Sequence, residues 1–546
     1  MKKLYPLIKN RLGLFTVGAI TGILSGICTS QVISMIKSGL DSVDNINGSF
    51  IFQIIGFSLF ATALGIASGY FIARITAIVI RNLTQSLSEK VLKANYEYVE
   101  SNSERIVPVL TRDITMLSEF INRFPQFLVS TTTVAVTLFL LFKTDWQLTS
   151  FFMVAFLLQI IMVVSTLPLV RKLTRRSTKF NNFLFRDLAS LVSGLKELSL
   201  NQRRRNEYIS GVISENLHNW NHSEVKRKVL LESTDRLSDL LVFIFSGLLM
   251  FMGVTILPID FNQFKVILPT ILFLIPFTVK IASFFRLRSS AVVSLEQIHQ
   301  LGIDVDKQKI KSSKELSLES AQNEPYLLFD NIEFQYKTSL HENPISFGPI
   351  KVSFTKNKIT FIVGGNGSGK TTFSKILTGL YQPTEGSIYY QGQRVDHTNL
   401  LSFRDLFSAY YADSHVFEHL SHIDASFLED HAENYINMLE MESKVDVEDQ
   451  KFSSTKLSYG QRSRLALIAN MLDNKEIYVF DEWAANQDPY FKGIFYHEIL
   501  PFLKEKGKTV IVISHDEKYF EVADEIIELE EGMTVSESKI VQNEYA

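Results

Sequence analysis

The sequence predicts an α-helical domain of six membrane spans followed by an α/β domain of the phosphate-loop type. Three observations carry this. Uncharged apolar runs of span length recur through the first half. A G-x-x-x-x-G-K-T loop opens the second half. An apolar strand ending in two acids comes after that loop.

Composition sets the frame. Hydrophobic residues make up 46% of the 546, 42 residues are Phe and the mean hydropathy is slightly positive, which together suggest membrane content. The length has room for two to four domains. A net charge of −3 gives no support for a nucleic-acid partner. The single cysteine, Cys28, excludes an internal disulfide and a Cys-cluster metal site. Its apolar surroundings predict a packed residue.

Leu12–Ile36 has no charge and suffices for one span of about 20 residues. It is too long for a signal-peptide core, so it is expected to stay in the mature protein. Ile51–Ala73 is a second such run. Between Phe124 and Val170 the only charges are Lys143 and Asp145, which predicts a helical hairpin turning at Lys143–Trp146. Leu240–Leu257 and Val266–Phe285 form a third pair around Pro258–Asp260, and Lys280 can snorkel to the interface. Basic residues (Lys2, Lys3, Lys9, Arg11; Arg74, Arg81, Lys90, Lys93; Arg171, Lys172, Arg175, Arg176, Lys179; Arg286, Arg288) flank alternate ends of these spans. The loops near Asp41–Asp44, Asp145 and Asp260 are short and poor in base, so six spans with both termini in the cytoplasm are expected.

Two long polar segments, about 86–123 and 171–239, fall on the cytoplasmic side. Their helix-forming residues predict spans that continue past the bilayer and turn back near Ala94–Arg105 and Ser193–Arg205. The expected division is a membrane domain over 1–301, a polar linker over 302–325, and a nucleotide-binding domain over 326–546.

The loop itself is Gly364, Gly365, Asn366, Gly367, Ser368, Gly369, Lys370, Thr371. The run Ile359–Val363 reads as a buried strand before it and Thr372–Leu380 as a helix after it, which is the context a phosphate loop requires. Glycines let successive N–H groups point at phosphate oxygens, and the helix N-terminus adds positive charge. Lys370 is expected on the β- and γ-phosphates, and the Thr371 hydroxyl on Mg²⁺. Glu476–Glu482 is the acid-ended strand, with Asp481 placed to hold Mg²⁺ and Glu482 to polarise the attacking water as general base. Ile511–Ser514 is another apolar strand, and His515 at its end is a candidate γ-phosphate contact. His415, His419, His422 and His431 are spaced too irregularly for a metal site and read as surface residues of a helical region, Leu420–Thr455.

Leu457-Ser458-Tyr459-Gly460-Gln461 stands just before an amphipathic helix, Arg462–Leu472. Here the chain resembles the ATP-binding cassette (ABC) superfamily, whose signature is L-S-G-G-Q; this copy has Tyr459 in third place. The resemblance covers essentially the whole chain, in the half-transporter layout of exporters. It implies the type IV exporter fold for the six spans, an α/β ATP-binding cassette after them, and ATP with Mg²⁺ as ligands. It also implies a homodimer with two composite ATP sites and a multi-pass place in the bacterial cytoplasmic (inner) membrane. Carried over by position, Tyr336 resembles the aromatic that stacks on adenine, and Gly364–Thr371, with Thr372, the Walker A loop. Asp481 is then the Walker B aspartate, Glu482 the catalytic glutamate, Asp488 the D-loop aspartate and His515 the switch histidine. Ser458, Tyr459, Gly460 and Gln461 contact the γ-phosphate held by the other subunit.

Departures from the common pattern narrow the resemblance. Trp483-Ala484-Ala485-Asn486-Gln487 stands where the family usually carries S-A-L before its D-loop aspartate, and Val363-Gly364-Gly365-Asn366-Gly367 and Phe347-Gly348-Pro349-Ile350 introduce the loop. These are similar to the cyclic-peptide exporter branch, associated with pyoverdine-type precursors, syringomycin-type lipopeptides and lasso-peptide microcins. A peptide-like substrate is therefore expected. A membrane-anchored sensory ATPase and an importer on the exporter scaffold remain alternatives. The Q-loop glutamine is replaced by Ala412, and Asp413 is expected to take over part of its role. Ser30, Gln31, Gln53, Thr131, Thr132, Thr133 and Gln159 are open between lining a cavity and packing helices.

Overall fold

The computed structural model describes residues 12–41, 47–144, 146–255, 261–307, 316, 325–336, 346–530 and 532–539. The basic residues before Leu12, Asp145 at the hairpin turn, Asp260 and most of the expected linker lie outside these. The chain divides into two compact units, one spanning 1–94 and 99–307, the other 95–98 and 308–546.

Among its described residues the first unit is almost wholly helix. Its long members are Leu12–Asp41, Gly48–Leu92, Phe124–Thr144, Trp146–Ser193, Ser214–Thr255 and Phe261–Lys307. Five helical stretches among the described residues are long and apolar enough to cross a membrane. The remaining expected span, Leu240–Leu257, occupies the end of Ser214–Thr255 and runs into residues outside the description. The 45 residues of Gly48–Leu92 reach about 68 Å at 1.5 Å each, roughly twice a hydrocarbon core. The extensions past the bilayer are therefore continuous with the spans.

Both expected tips fall at helix breaks. One lies between Leu92 and Tyr96, the other at Gly194 and Asn201, which separate the short helices Leu195–Leu200 and Gln202–Glu207. Ion pairs fasten the extensions: Lys90 to Asp306 at 2.6 Å and Arg105 to Asp304 at 3.0 Å. These acids sit at the end of Phe261–Lys307, so helix continues into the stretch read as linker.

Small and hydroxyl residues pack the membrane helices. A Cβ on Gly26 would meet Thr132 at 2.7 Å. Ser68 donates to the Gly18 carbonyl (2.6 Å), Ser25 to Ala61 (2.7 Å) and Thr133 to Gly26 (3.2 Å), while Ser30 and Thr137 share a bond of 2.9 Å. Close backbone approach and interhelical hydroxyl bonds are what hold helices together in lipid. Ser30 and Thr133 are thus packing residues. Gln159 donates to Thr278 at 3.5 Å. Cys28 is half-buried.

The second unit holds two main sheets. Strands β1 (Leu327–Gln335), β2 (Ser346–Phe354), β4 (Glu385–Tyr390) and β5 (Gln393–Val395) form an antiparallel sheet in the order β2-β1-β4-β5. Strands β3 (Ile359–Val363), β6 (Phe407–Tyr410), β9 (Ile477–Asp481), β10 (Thr509–Ile513), β11 (Glu525–Glu530) and β12 (Met533–Lys539) form the other, in the order β12-β11-β3-β10-β9-β6. All its pairings are parallel except β11 with β12. A small ribbon, β7 (Val447–Glu448) with β8 (Lys451–Phe452), closes the helical region. Every residue of β9 and β10 is buried. Their unbroken apolar runs suit strands covered on both faces. The register sets Ile513 opposite both Ile362 and Asp481, so the C-terminal ends of β3, β9 and β10 coincide. That edge is where ligands bind in open parallel sheets.

Candidate functional site

The phosphate loop leaves β3 and enters the helix Lys370–Leu377, two residues earlier than the sequence placed its start. Two glycines are sterically obligatory. A Cβ on Gly364 (φ +151°) would strike the Leu529 carbonyl at 2.2 Å. One on Gly369 (φ +92°) would strike the Phe347 ring at 2.4 Å. Only glycine adopts such backbone without strain and leaves that room. Lys370 Nζ donates to the carbonyls of Gly364 and Gly365, both at 2.9 Å, so the ammonium is curled inside the loop. Burial pulls its proton affinity below the ordinary lysine value.

The acidic residues arrive from β9. Asp481 is buried and accepts from the Ser374 hydroxyl at 3.1 Å. Burial pushes its carboxyl above the ordinary range, opposed by the bonds from Ser374 and Thr371 and by the Lys370 charge. Glu482 follows with φ +55°, a left-handed backbone uncommon for a residue with a side chain. Its N–H donates to Ile513 (3.1 Å), and its carboxylate lies 3.2 Å from His515 Nε2. Strain of this kind concentrates at functional sites. Tyr336 joins the group through a 2.7 Å bond between its hydroxyl and that of Thr372.

These residues fit a nucleotide triphosphate with a divalent ion. The loop is a backbone cradle whose tight path leaves no room for side chains at Gly364 and Gly369. Ser368 Oγ is buried there with no hydrogen-bond partner among the described residues. Thr371 and Asp481 supply the hard oxygen donors that Mg²⁺ requires. Among the described residues no cluster of three or more His, Cys, Asp or Glu offers another metal site.

The signature residues stand apart. Ser458 caps the helix Tyr459–Leu472 in a reciprocal box with Gln461. Gly460 accepts from Gln487 Nε2 at 3.3 Å, and Trp483 Nε1 donates to Ser463 at 3.0 Å. Trp483, buried against Phe495 with ring centroids 4.6 Å apart, thus joins the end of β9 to the signature helix. Asp488 accepts from the N–H groups of Tyr490 and Phe491 and caps the next helix. Among the described residues no hydrogen bond joins Ser458–Gln461 to Gly364–Thr371.

The Ala412 region resolves into two directions. Asp413 lines a groove with His415, Tyr459 and Arg462, and the Tyr459 hydroxyl donates to the Ala412 carbonyl at 3.3 Å. Tyr411, one residue earlier, turns inward. Its hydroxyl bonds Thr378 (2.8 Å) and the Ser374 carbonyl (3.2 Å). Tyr411 and Thr378 thus hold the Ser374 backbone carbonyl, while the Ser374 hydroxyl reaches Asp481. Sequence reading missed Ser374 and Tyr411. The one available signal was that Ser374 lies one turn beyond Thr371 on a helix that must face β9.

In the second unit Tyr96, from segment 95–98, lies 6.4 Å from the Tyr381 ring and 5.7 Å from the Lys375 ammonium.

The family model described as ABC transporter matches residues 347–485. Over 536 residues the chain is 28% identical to the ATP-binding protein SyrD of Pseudomonas syringae pv. syringae, spanning 95% of this chain and 93% of that protein. A multidrug resistance ABC transporter ATP-binding and permease protein of Lactococcus lactis subsp. cremoris is 23% identical over 98% of this chain and 92% of its own length. The energy-coupling factor transporter ATP-binding protein EcfA1 of Mesomycoplasma hyopneumoniae (strain 7448) is 32% identical over 210 residues, 36% of this chain and 75% of that protein.

Proposed function

The chain belongs to the ABC transporter family, and from that premise we propose that it exports a peptide-like substrate across the bacterial cytoplasmic membrane as a homodimer. ATP-driven transport by a multi-pass membrane protein comes with the family. Direction, substrate and symmetry are the proposal.

One observation carries the dimer. Lys370, Asp481, Glu482, His515 and Tyr336 gather at one sheet edge, while Gly460 is held by Gln487, Trp483 holds Ser463 further along the same helix, and no hydrogen bond among the described residues joins Ser458–Gln461 to the phosphate loop. A second copy turned head to tail would bring its helix N-terminus, at Ser458–Gln461, to the γ-phosphate held by Gly364–Thr371. Thr371 and Asp481 would hold Mg²⁺, which when bound supplies positive charge beside the β- and γ-phosphate oxygens. Lys370 leaves its loop carbonyls for the phosphates. Glu482 takes a proton from water lined up for attack, and His515 holds the Glu482 carboxylate and the γ-phosphate in place. The strained Glu482 backbone aims the base before substrate arrives. The peptide-like assignment rests on the branch features around Asn486–Asp488 and Phe347–Ile350. Grouping of 95–98 with the cassette supports the tip near Tyr96 as the piece that passes cassette closure to the spans. ATP can drive that change only by binding the two states unequally.

The test is ATP-dependent uptake of a fluorescent acylated tripeptide into inside-out vesicles. Uptake by wild type and none by Lys370→Ala is expected. Uptake confined to right-side-out vesicles makes the protein an importer. ATP hydrolysis with no flux in either orientation leaves the sensory reading standing instead.

A further inference from the structure

We propose that a cavity in the first unit, flanked by Lys280, recognises the anionic head group of the exported amphiphile, a carboxylate in a peptide-like molecule. This rests on the export reading and adds the charge class of the cargo.

The cavity measures about 540 Å³ and lies among helices Leu12–Asp41, Gly48–Leu92 and the stretch 122–130, with Lys280 reaching it from Phe261–Lys307. That volume is in the range of small-molecule sites. Lys280 is the single charged residue of its lining. It belongs to the run Val266–Phe285, which holds no other charge. An ionisable residue within a span is costly and marks a functional site unless paired. Among the described residues no carboxylate pairs with Lys280. Its ammonium has only the Phe277 ring, 5.3 Å away on the same helix.

Of the other polar side chains in the lining, Ser25, Thr29 and Thr62 already donate to backbone carbonyls at 2.7, 2.8 and 2.8 Å, and four more have donors to offer. The side chains of Ser58, Ser130 and Asn122 make no hydrogen bond to any described residue. Gln126 accepts from Arg123 through Oε1 at 3.0 Å, which leaves its amide N–H groups for a ligand. A cation with hydroxyl and amide donors and no acid is the chemistry that binds an acceptor-only anion. Val32, Ile66 and Val129 give the cavity an apolar wall, which suits an acyl chain or apolar side chain attached to that anion. Snorkelling alone would turn Lys280 to the bilayer surface; here it lines a recess of mixed polar and apolar residues.

A carboxylate on the cargo and a phosphate on a membrane lipid share this chemistry, so the experiment separates them. Full-length protein is placed in phosphatidylcholine nanodiscs, and equilibrium binding is measured for a dodecanoyl tripeptide with a free C-terminal carboxylate and for its C-terminal amide. The acid is expected to bind at least 10-fold tighter. Lys280→Gln should erase that preference, and Lys280→Arg should keep it. Equal binding of acid and amide to wild type, no binding of either, or a preference that survives Lys280→Gln each overturns the proposal. In a second arm a quarter of the lipid is phosphatidylglycerol. A loss of acid affinity no greater in wild type than in Lys280→Gln is expected. A larger loss in wild type assigns the site to a lipid phosphate and overturns the cargo assignment. Absent ATP-dependent uptake with the acid preference intact counts against export alone; intact uptake with equal binding counts against this proposal alone.

Discussion

The Ser374 hydroxyl shares its proton between the Thr371 carbonyl, at 2.9 Å, and Asp481 Oδ2, at 3.1 Å. Ser374 is fully buried, and together with Thr371 it restrains that carboxylate from the helix side. Ser374→Ala removes a hydrogen bond to a buried charged group, worth roughly 1.5–3 kcal/mol. The Mg²⁺ concentration for half-maximal ATPase should rise about tenfold or more at unchanged protein yield. Ser374 lowers the Asp481 proton affinity, so its loss raises it. The acid limb of the ATPase pH profile should then move to higher pH. A Mg²⁺ titration at several pH values checks both, and an unshifted titration removes the positioning role.

Glu482 and His515 face each other at 3.2 Å. Glu482→Gln keeps the shape and removes the base. ATP should still bind, hydrolysis should fall by about 10²–10⁴-fold, and the closed dimer should persist on a sizing column with ATP. Hydrolysis at the wild-type rate would defeat the assignment.

Gly369→Ala adds a Cβ 2.4 Å from the Phe347 ring at a φ of +92°. Either the loop or Phe347 must move, and both shape the phosphate cradle. Loss of ATP binding, measured by fluorescent-nucleotide titration, is expected, together with a lowered melting temperature. The double variant Gly369→Ala/Phe347→Ala should recover part of the melting temperature and little of the binding, because the backbone strain stays.

Asp524 works on stability. Burial acts upward on its carboxyl, but the Lys504 bond (2.7 Å), the Ile359 N–H (2.8 Å) and the Lys504 and Lys358 charges outweigh it, so its value lies below the ordinary range. A carboxyl depressed in the folded state stabilises above its unfolded value and loses that contribution as pH falls through the folded one. Asp524→Asn should lower the melting temperature at pH 7 and should shrink the difference from wild type as the buffer is taken below pH 4. A difference constant with pH would show that the charge contributes nothing.

Much of the molecule was legible because its chemistry is local in sequence. A phosphate loop needs a strand, glycines and a helix in immediate succession, so Gly364–Thr371 declared itself. Spans need uninterrupted apolar length, so the helices could be counted from the chain. Buried parallel strands need unbroken apolar runs, and β9 and β10 have them. The signature could be read, but its distance from the loop within one chain could not, because Trp483 and Gln487 fix it through side-chain contacts rather than spacing.

Side-chain direction came from packing. Whether Lys280 faces lipid or a polar cavity depends on how three other helices lie around it, which hydropathy does not encode. Whether Ser30 and Thr133 line a pocket or pack helices was settled by partners more than 100 residues away in sequence. The replaced glutamine at Ala412 drew attention to Asp413, yet Tyr411 is the residue whose hydroxyl holds the Ser374 carbonyl. Successive residues leaving a strand point to opposite sides, and the side each one takes is fixed by what β6 and β9 pack against. Local motifs name the chemistry the chain carries, because each needs only neighbours in sequence; the packing of distant segments chooses which side chains hold that chemistry in place.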